Sequence, residues 1–162
     1  FLKNKLALSG IDFSQGEKVN IFDLKNIKIL PLICYEVIFP HITSGKNKKF
    51  NLLINITNDA WYGKSKGPYQ HLALAKIRAV QEGSFLLRIA NTGISAIIDN
   101  EGQIIEKLEL DNRGTIDREL VLTKKNTMYS KFGDTFFYVI LLILLTFILL
   151  NFTRKGFKIK NE

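Results

Sequence analysis

The sequence is poor in residues that build cross-links and metal sites: it has one cysteine and two histidines in 162 residues. One cysteine excludes a disulfide within the chain, and these few soft ligands predict no metal centre and no other cofactor. Basic residues give a formal net charge of +8, but the lysines are scattered and form no basic face with interleaved aromatic residues. We therefore expect no nucleic-acid partner. The length suits one domain with a core, and the start at Phe1 instead of methionine predicts a fragment or a processed chain.

The single cysteine ends an apolar run. Residues Ile27 to Ile33 are mostly apolar and predict a buried strand near a sheet edge, because one proline interrupts them. Cys34 and Glu36 follow at a predicted strand-to-helix turn. Such a turn exposes a nucleophile and offers backbone N–H groups to an oxyanion. A small buried apolar cysteine remains the alternative from this stretch alone.

The remaining pattern predicts strands that alternate with helices and end in a hairpin, which is typical of an α/β layered fold. A helix is predicted over 70–81, where alanine and leucine recur and Gly83 follows as a stop signal. Another short helix is predicted over 37–44. The predicted strands, besides the one before Cys34, cover 21–24, 50–57, 85–90, 94–98, 103–105 and 114–122.

Residues 58–69 form a predicted loop with an unusual composition. It contains the only tryptophan, Trp61, together with Tyr62, Tyr69 and several turn-forming residues. Loops at the end of a sheet commonly carry binding groups. An aromatic plug over the core is the alternative for this stretch.

The amino-acid composition changes near the C-terminus, where a long apolar stretch begins. Residues 136–150 carry no charge, and the stretch 132–152 is long enough to cross a hydrocarbon core of about 30 Å as a helix. It is apolar on all sides, which predicts a transmembrane helix over 131–153, with a helix buried in a protein core as the alternative. Basic residues beyond it predict a cytoplasmic tail at 154–162.

Several ordered motifs resemble the apolipoprotein N-acyltransferases, membrane enzymes of the nitrilase (carbon–nitrogen hydrolase) superfamily. The resemblance covers roughly residues 6–153. It rests on Ile33-Cys34-Tyr35-Glu36, Phe39-Pro40, Asn58-Asp59-Ala60-Trp61-Tyr62-Gly63, Gly67-Pro68-Tyr69-Gln70-His71, Arg78-Ala79-Val80 and Arg88-Ile89-Ala90-Asn91-Thr92-Gly93-Ile94-Ser95.

The resemblance implies a partial nitrilase-like α-β-β-α sandwich over 1–130 and assigns site residues within it. Cys34 matches the nucleophile of a Glu–Lys–Cys triad, and the backbone N–H of Tyr35 matches an oxyanion donor. Glu36 matches a residue needed for activity, and the resemblance implies that it orders the pocket. Trp61 and Tyr62 are assigned to the lipid entrance. No residue here matches the triad glutamate and lysine, so we expect both to lie outside this chain.

The implied reaction moves an acyl chain from a phospholipid donor to the N-terminal amine of a diacylglyceryl-cysteine lipoprotein through a thioester on Cys34. The implied location is the bacterial inner membrane, with the catalytic domain on the periplasmic side and the C-terminus in the cytoplasm. A membrane-anchored nitrilase-type amidase is the first alternative. The second is a non-catalytic fragment or membrane-tethered binding domain, since the triad glutamate and lysine are unmatched; we expect residues 1–162 alone to be inactive.

Overall fold

A six-stranded mixed sheet is the centre of the fold in the computed structural model, which describes residues 20–43 and 49–159, with side chains up to residue 151. The strands follow one another across the sheet in chain order. The three central strands β2, β3 and β4 are parallel, and the outer pairs are antiparallel. The strands are β1 (Phe22–Leu24), β2 (Ile27–Ile33), β3 (Leu52–Asn58), β4 (Phe85–Asn91), β5 (Ser95–Ile98) and β6 (Ile104–Leu108).

The core lies between one face of this sheet and a long helix. Leu30, Leu53 and Leu86 are paired in register across the parallel strands and are fully buried. Helix α2 (Gly67–Glu82) covers them with Ala75 and other small or apolar side chains. Burying apolar area against a helix is what holds a parallel sheet together. The predicted α/β layered class is confirmed.

Helix α2 confirms the predicted helix and extends it at its beginning. The helix starts at Gly67 instead of residue 70, because Pro68 fits the first turn, where its missing N–H costs no helical hydrogen bond. It ends at Gly83, which adopts the left-handed conformation with φ +60° and caps the last carbonyl groups.

Two local predictions need correction. The segment after Cys34 is a 3₁₀ helix, Cys34–Ile38, followed by a short helix α1, Pro40–Thr43, instead of one helix. Residues 114–122 form no strand. Only Ile116, Leu120 and Leu122 are half-buried there, so the segment buries too little apolar surface to extend the sheet beyond β6.

The C-terminal part contains helix α3 (Met128–Phe132) and helix α4 (Thr135–Ile159). Gly133, at φ +56°, ends α3, so the apolar helix begins at Thr135, four residues later than the predicted start at residue 131. Within the described residues, no helix is both long and apolar enough to cross a bilayer. The predicted span over 131–153 is therefore not supported. The predicted tail at 154–162 lies outside the described side chains, and residues 1–19 of the predicted domain over 1–130 lie outside the described residues altogether.

Candidate active site

Polar side chains gather at the carboxyl ends of the parallel strands. Asn55 of β3 is paired with Leu32 of β2 on one side and with Arg88 of β4 on the other. Side chains on one face of a strand recur every second residue, so Thr57 lies on the face of Asn55, one step nearer the strand end. This edge of a sheet is where α/β proteins commonly bind ligands.

Cys34 lies at the same edge, directly after β2. Its backbone has φ +51°, a left-handed conformation that is uncommon for any residue except glycine. Such strain is typical of functional turns, because the surrounding contacts must hold it in place. The thiol is partly exposed, and the Thr57 hydroxyl lies 3.4 Å from Sγ. The structure thus places Cys34 at the sharp strand-to-helix turn that the sequence predicts.

Three side chains hold the Cys34 turn in this conformation. A carboxylate oxygen of Glu36 accepts the backbone N–H of Ile33 at 2.7 Å. The Asn55 amide donates to the carbonyl oxygens of Leu32 and Cys34, both at 3.0 Å. Arg78 lies deeper and donates to the carbonyl oxygens of two later residues of the 3₁₀ helix, Val37 and Ile38, at 3.1 Å each. Glu36 therefore contacts the turn itself.

A buried ion pair lies beside Thr57. Nη2 of Arg88 donates to Oδ2 of Asp59 at 2.6 Å, and both side chains are inaccessible to solvent. His71 approaches the other carboxylate oxygen, Oδ1, with Nδ1 at 2.9 Å. An ionised carboxylate only accepts hydrogen bonds, so we assign the His71 proton to Nδ1; Nη2 of Arg88 also lies 3.1 Å from this nitrogen. The guanidinium also donates to Asn55 Oδ1 and to the carbonyl oxygen of Ile94.

The cluster keeps Asp59 ionised. Burial alone would raise the pKa of its carboxyl group, but the hydrogen bond from His71 and the charge of Arg88 outweigh that effect and lower the pKa below its usual value. Burial lowers the pKa of Arg88, and Asp59 opposes that shift. On the far side of the imidazole, His71 Nε2 is buried and has no hydrogen-bond partner among the described residues.

The aromatic residues of the predicted site differ in their surroundings. Trp61 is 85% exposed, so the alternative of an aromatic plug is wrong for it. Tyr62 is half-buried, and its ring lies 5.9 Å from the ring of His71. Burial raises the pKa of Tyr62, and the nearby Tyr35, Asp59 and Cys34 add to that shift. Tyr35 also packs on His71, at 5.5 Å between ring centres.

Tyr35 is the second residue of the 3₁₀ helix. Backbone N–H groups in the first turn of a helix lack an acceptor within that helix. The position therefore suits the oxyanion donor that the resemblance assigns to Tyr35.

The sequence alone predicts no role for the polar residues beneath Cys34. A detectable signal was present: Asn55 and Arg88 interrupt apolar strands at positions that face the core, and a buried polar group needs partners. What the sequence did not show is that the two pair with each other and that Arg88 reaches Asp59. Within the described ranges, no group of three His, Cys, Asp or Glu residues could hold a metal ion.

The chain matches the carbon-nitrogen hydrolase family over residues 7–125. It is 45% identical over 146 residues to an apolipoprotein N-acyltransferase of Rickettsia bellii, covering 88% of this chain and 28% of that protein. A protein of the same name from Bradyrhizobium diazoefficiens is 48% identical over 105 residues, covering 65% and 20% respectively. The chain thus spans less than a third of the length of these relatives.

Two solved structures share the fold. A CN-hydrolase superfamily protein of Xanthomonas campestris, XC1258, has a TM-score of 0.50 at 19% identity, covering 80% of this chain and 51% of that one. A carbon-nitrogen hydrolase of Helicobacter pylori has a TM-score of 0.51 at 12% identity, with coverage of 60% and 41%. The match over residues 7–125, which contain the Cys34 turn and the polar cluster beneath it, shows that the chain belongs to the carbon-nitrogen hydrolase family, the nitrilase superfamily of enzymes.

Proposed function

We propose that this chain is the nucleophile-bearing part of an apolipoprotein N-acyltransferase. One observation carries the proposal: Cys34 lies in a strained, partly exposed turn at the carboxyl ends of the parallel strands. The relatives that share the surrounding sequence carry this name. The proposed acyl donor is a phospholipid, and the proposed acceptor is the N-terminal amine of a diacylglyceryl-cysteine lipoprotein.

The reaction runs in two steps through Cys34. The thiolate attacks the ester carbonyl of the phospholipid, a carbon–sulfur bond forms, and the ester carbon–oxygen bond breaks to release a lysophospholipid that takes up a proton. The lipoprotein amine then attacks the thioester, loses a proton and returns the thiolate. Two steps through one covalent intermediate give ping-pong kinetics.

The neighbours of Cys34 have separate roles in this scheme. The backbone N–H of Tyr35 faces the oxyanion, and Glu36 fixes the turn through Ile33. Trp61 and Tyr62 contact lipid at the entrance; the exposure of Trp61 supports this role. The general base and the lysine of the triad come from outside residues 1–162.

Helix α4 supports a membrane location. Its large apolar side chains between residues 136 and 150 are all exposed, and exposed apolar surface of this extent marks an interaction site. We assign these side chains to lipid contact at the bacterial inner membrane, with the site on its periplasmic side.

The test uses the complete protein that contains these residues, assayed with phospholipid and a diacylglyceryl-cysteine peptide. Cys34→Ala should abolish transfer without changing the circular dichroism spectrum. Mass spectrometry of the wild type with phospholipid alone should show an acyl adduct on the Cys34 peptide. Full transfer by the alanine variant would refute the proposal, and turnover of short amides without acyl transfer would identify an amidase instead.

A further inference from the structure

The Thr57 hydroxyl lies between the candidate nucleophile and the buried carboxylate. Its oxygen is 3.4 Å from Cys34 Sγ and 3.2 Å from Asp59 Oδ1. Thr57 is 6% exposed, and Asp59 is fully enclosed. Water therefore has little access to these contacts, and the hydroxyl must satisfy its hydrogen bonds within the protein.

One hydroxyl has one proton, so it donates to only one of these two acceptors at a time. A thiolate is a far better acceptor than a thiol or a thioester sulfur, because it carries the full negative charge. Asp59 does not depend on this donor, since His71 and Arg88 already donate to it. When the Thr57 hydroxyl donates to Cys34 instead, the carboxylate of Asp59 therefore still has two hydrogen-bond donors.

We propose that Thr57 is a positioning residue whose hydroxyl donates to Cys34 Sγ while the sulfur is a thiolate and turns to Asp59 when the sulfur is acylated. Only the second part of this proposal, in which Cys34 carries an acyl group, rests on the proposed function. The hydroxyl makes and breaks hydrogen bonds but transfers no proton. Its effect is to favour the thiolate before attack and to release the sulfur afterwards.

The charges around Cys34 leave a role for such a donor. Asp59 alone would disfavour a second negative charge nearby, and Arg88 offsets it within the same ion pair. The pair is nearly neutral as a whole, so among the described residues the hydrogen bond from Thr57 is the contact that most directly favours the thiolate. The titratable or charged groups that face the turn from the packed elements are Tyr35, Glu36, Asp59, Tyr62, His71, Arg78 and Arg88.

Alkylation of the thiol measures this effect without acyl transfer. Iodoacetamide reacts with the thiolate, so its rate against pH, read by mass spectrometry on the Cys34 peptide, gives the midpoint of thiolate formation. Thr57→Val keeps the shape and removes the hydroxyl. We expect its rate at pH 7 to fall about tenfold and its midpoint to rise by about one pH unit, as expected for loss of a hydrogen bond to a charged group.

Two further variants separate this role from a general loss of packing. Thr57→Ser retains the hydroxyl and should restore the wild-type pH profile. Thr43→Val removes another buried threonine hydroxyl, one that donates to Glu82 at 2.8 Å, and should leave the profile of Cys34 unchanged. Melting temperatures of all three variants show whether each is folded under the conditions of the assay.

The outcomes distinguish this proposal from the proposed function. An unchanged profile in Thr57→Val overturns the role of Thr57, and so does an equal shift in Thr43→Val. The expected shift, together with a wild-type protein that transfers no acyl chain, would uphold the role of Thr57 and refute the acyltransferase.

Discussion

The buried pair of Asp59 and Arg88 permits a quantitative prediction. Asp59→Asn keeps the shape of the side chain and an oxygen that can still accept from His71. It removes the negative charge and leaves the Arg88 guanidinium buried without a counter-ion. Removing one partner of a buried ion pair costs about 3–5 kcal/mol, because the remaining charge is not solvated. We expect the free energy of unfolding to fall by that amount.

The difference in stability between the wild type and Asp59→Asn should depend on pH. The pKa of Asp59 is lower in the folded protein than its ordinary value of 3.8. A lowered carboxyl pKa stabilises the folded state above the unfolded pKa, and this contribution is lost as the pH falls through the folded pKa. Wild type should therefore lose stability below about pH 4 more steeply than Asp59→Asn.

Urea unfolding at pH 7, followed by circular dichroism, measures the effect, and a double-mutant cycle shows its origin. Arg88→Met on the Asp59→Asn background removes the uncompensated charge, so the double variant should be more stable than the sum of the two single changes predicts. A cost below about 1 kcal/mol for Asp59→Asn, or additive effects in the cycle, would refute the inference that Asp59 and Arg88 are shielded from water and stabilise each other.

Two more predictions concern the shape of the site. Gly93→Ala should destabilise the protein by about 1–3 kcal/mol, measured by thermal unfolding, since a Cβ there would clash with the buried carboxylate of Asp59. Gly114→Ala is the milder control, because its Cβ would meet only a leucine side chain at 3.2 Å. Trp61→Ala should change the free energy of unfolding by less than about 0.5 kcal/mol because the side chain is exposed. It should nevertheless weaken binding to phospholipid vesicles in a co-sedimentation assay; unchanged binding would remove Trp61 from the lipid entrance.

The sequence was most informative where a single physical rule dominates. Apolar runs located the strands, and Gly83 located the end of α2, because burial and backbone conformation act locally. The pattern of apolar residues was misleading for residues 114–122. Their scattered apolar residues are compatible with a strand, but β6 gains no partner from them and most of their side chains are exposed.

The position of Cys34 was predictable from the sequence, but the side-chain contacts that hold its turn were not. The strand that precedes it is a local feature, whereas the contact from Thr57 and the amide of Asn55 come from a neighbouring strand more than twenty residues away in the chain. Such contacts depend on strand order and register, which a single sequence does not specify. For the same reason, the partner of Arg88 was not foreseen.

The arrangement around Arg88 explains why a charge is retained inside an apolar strand. A buried ion pair contributes little net stability compared with well-packed apolar residues, so stability alone is a weak reason for it. Arg88, however, donates hydrogen bonds to three separate segments: Asn55, which holds the Cys34 turn; Asp59, which begins the 3₁₀ helix of Trp61; and Ile94, after the β4 strand. A guanidinium has several donors in a fixed plane and can satisfy all three at once. An apolar side chain could fill the same space, but it would not fix the direction of any of these segments relative to the thiol. The ion pair is therefore best explained by the alignment of the site that it provides.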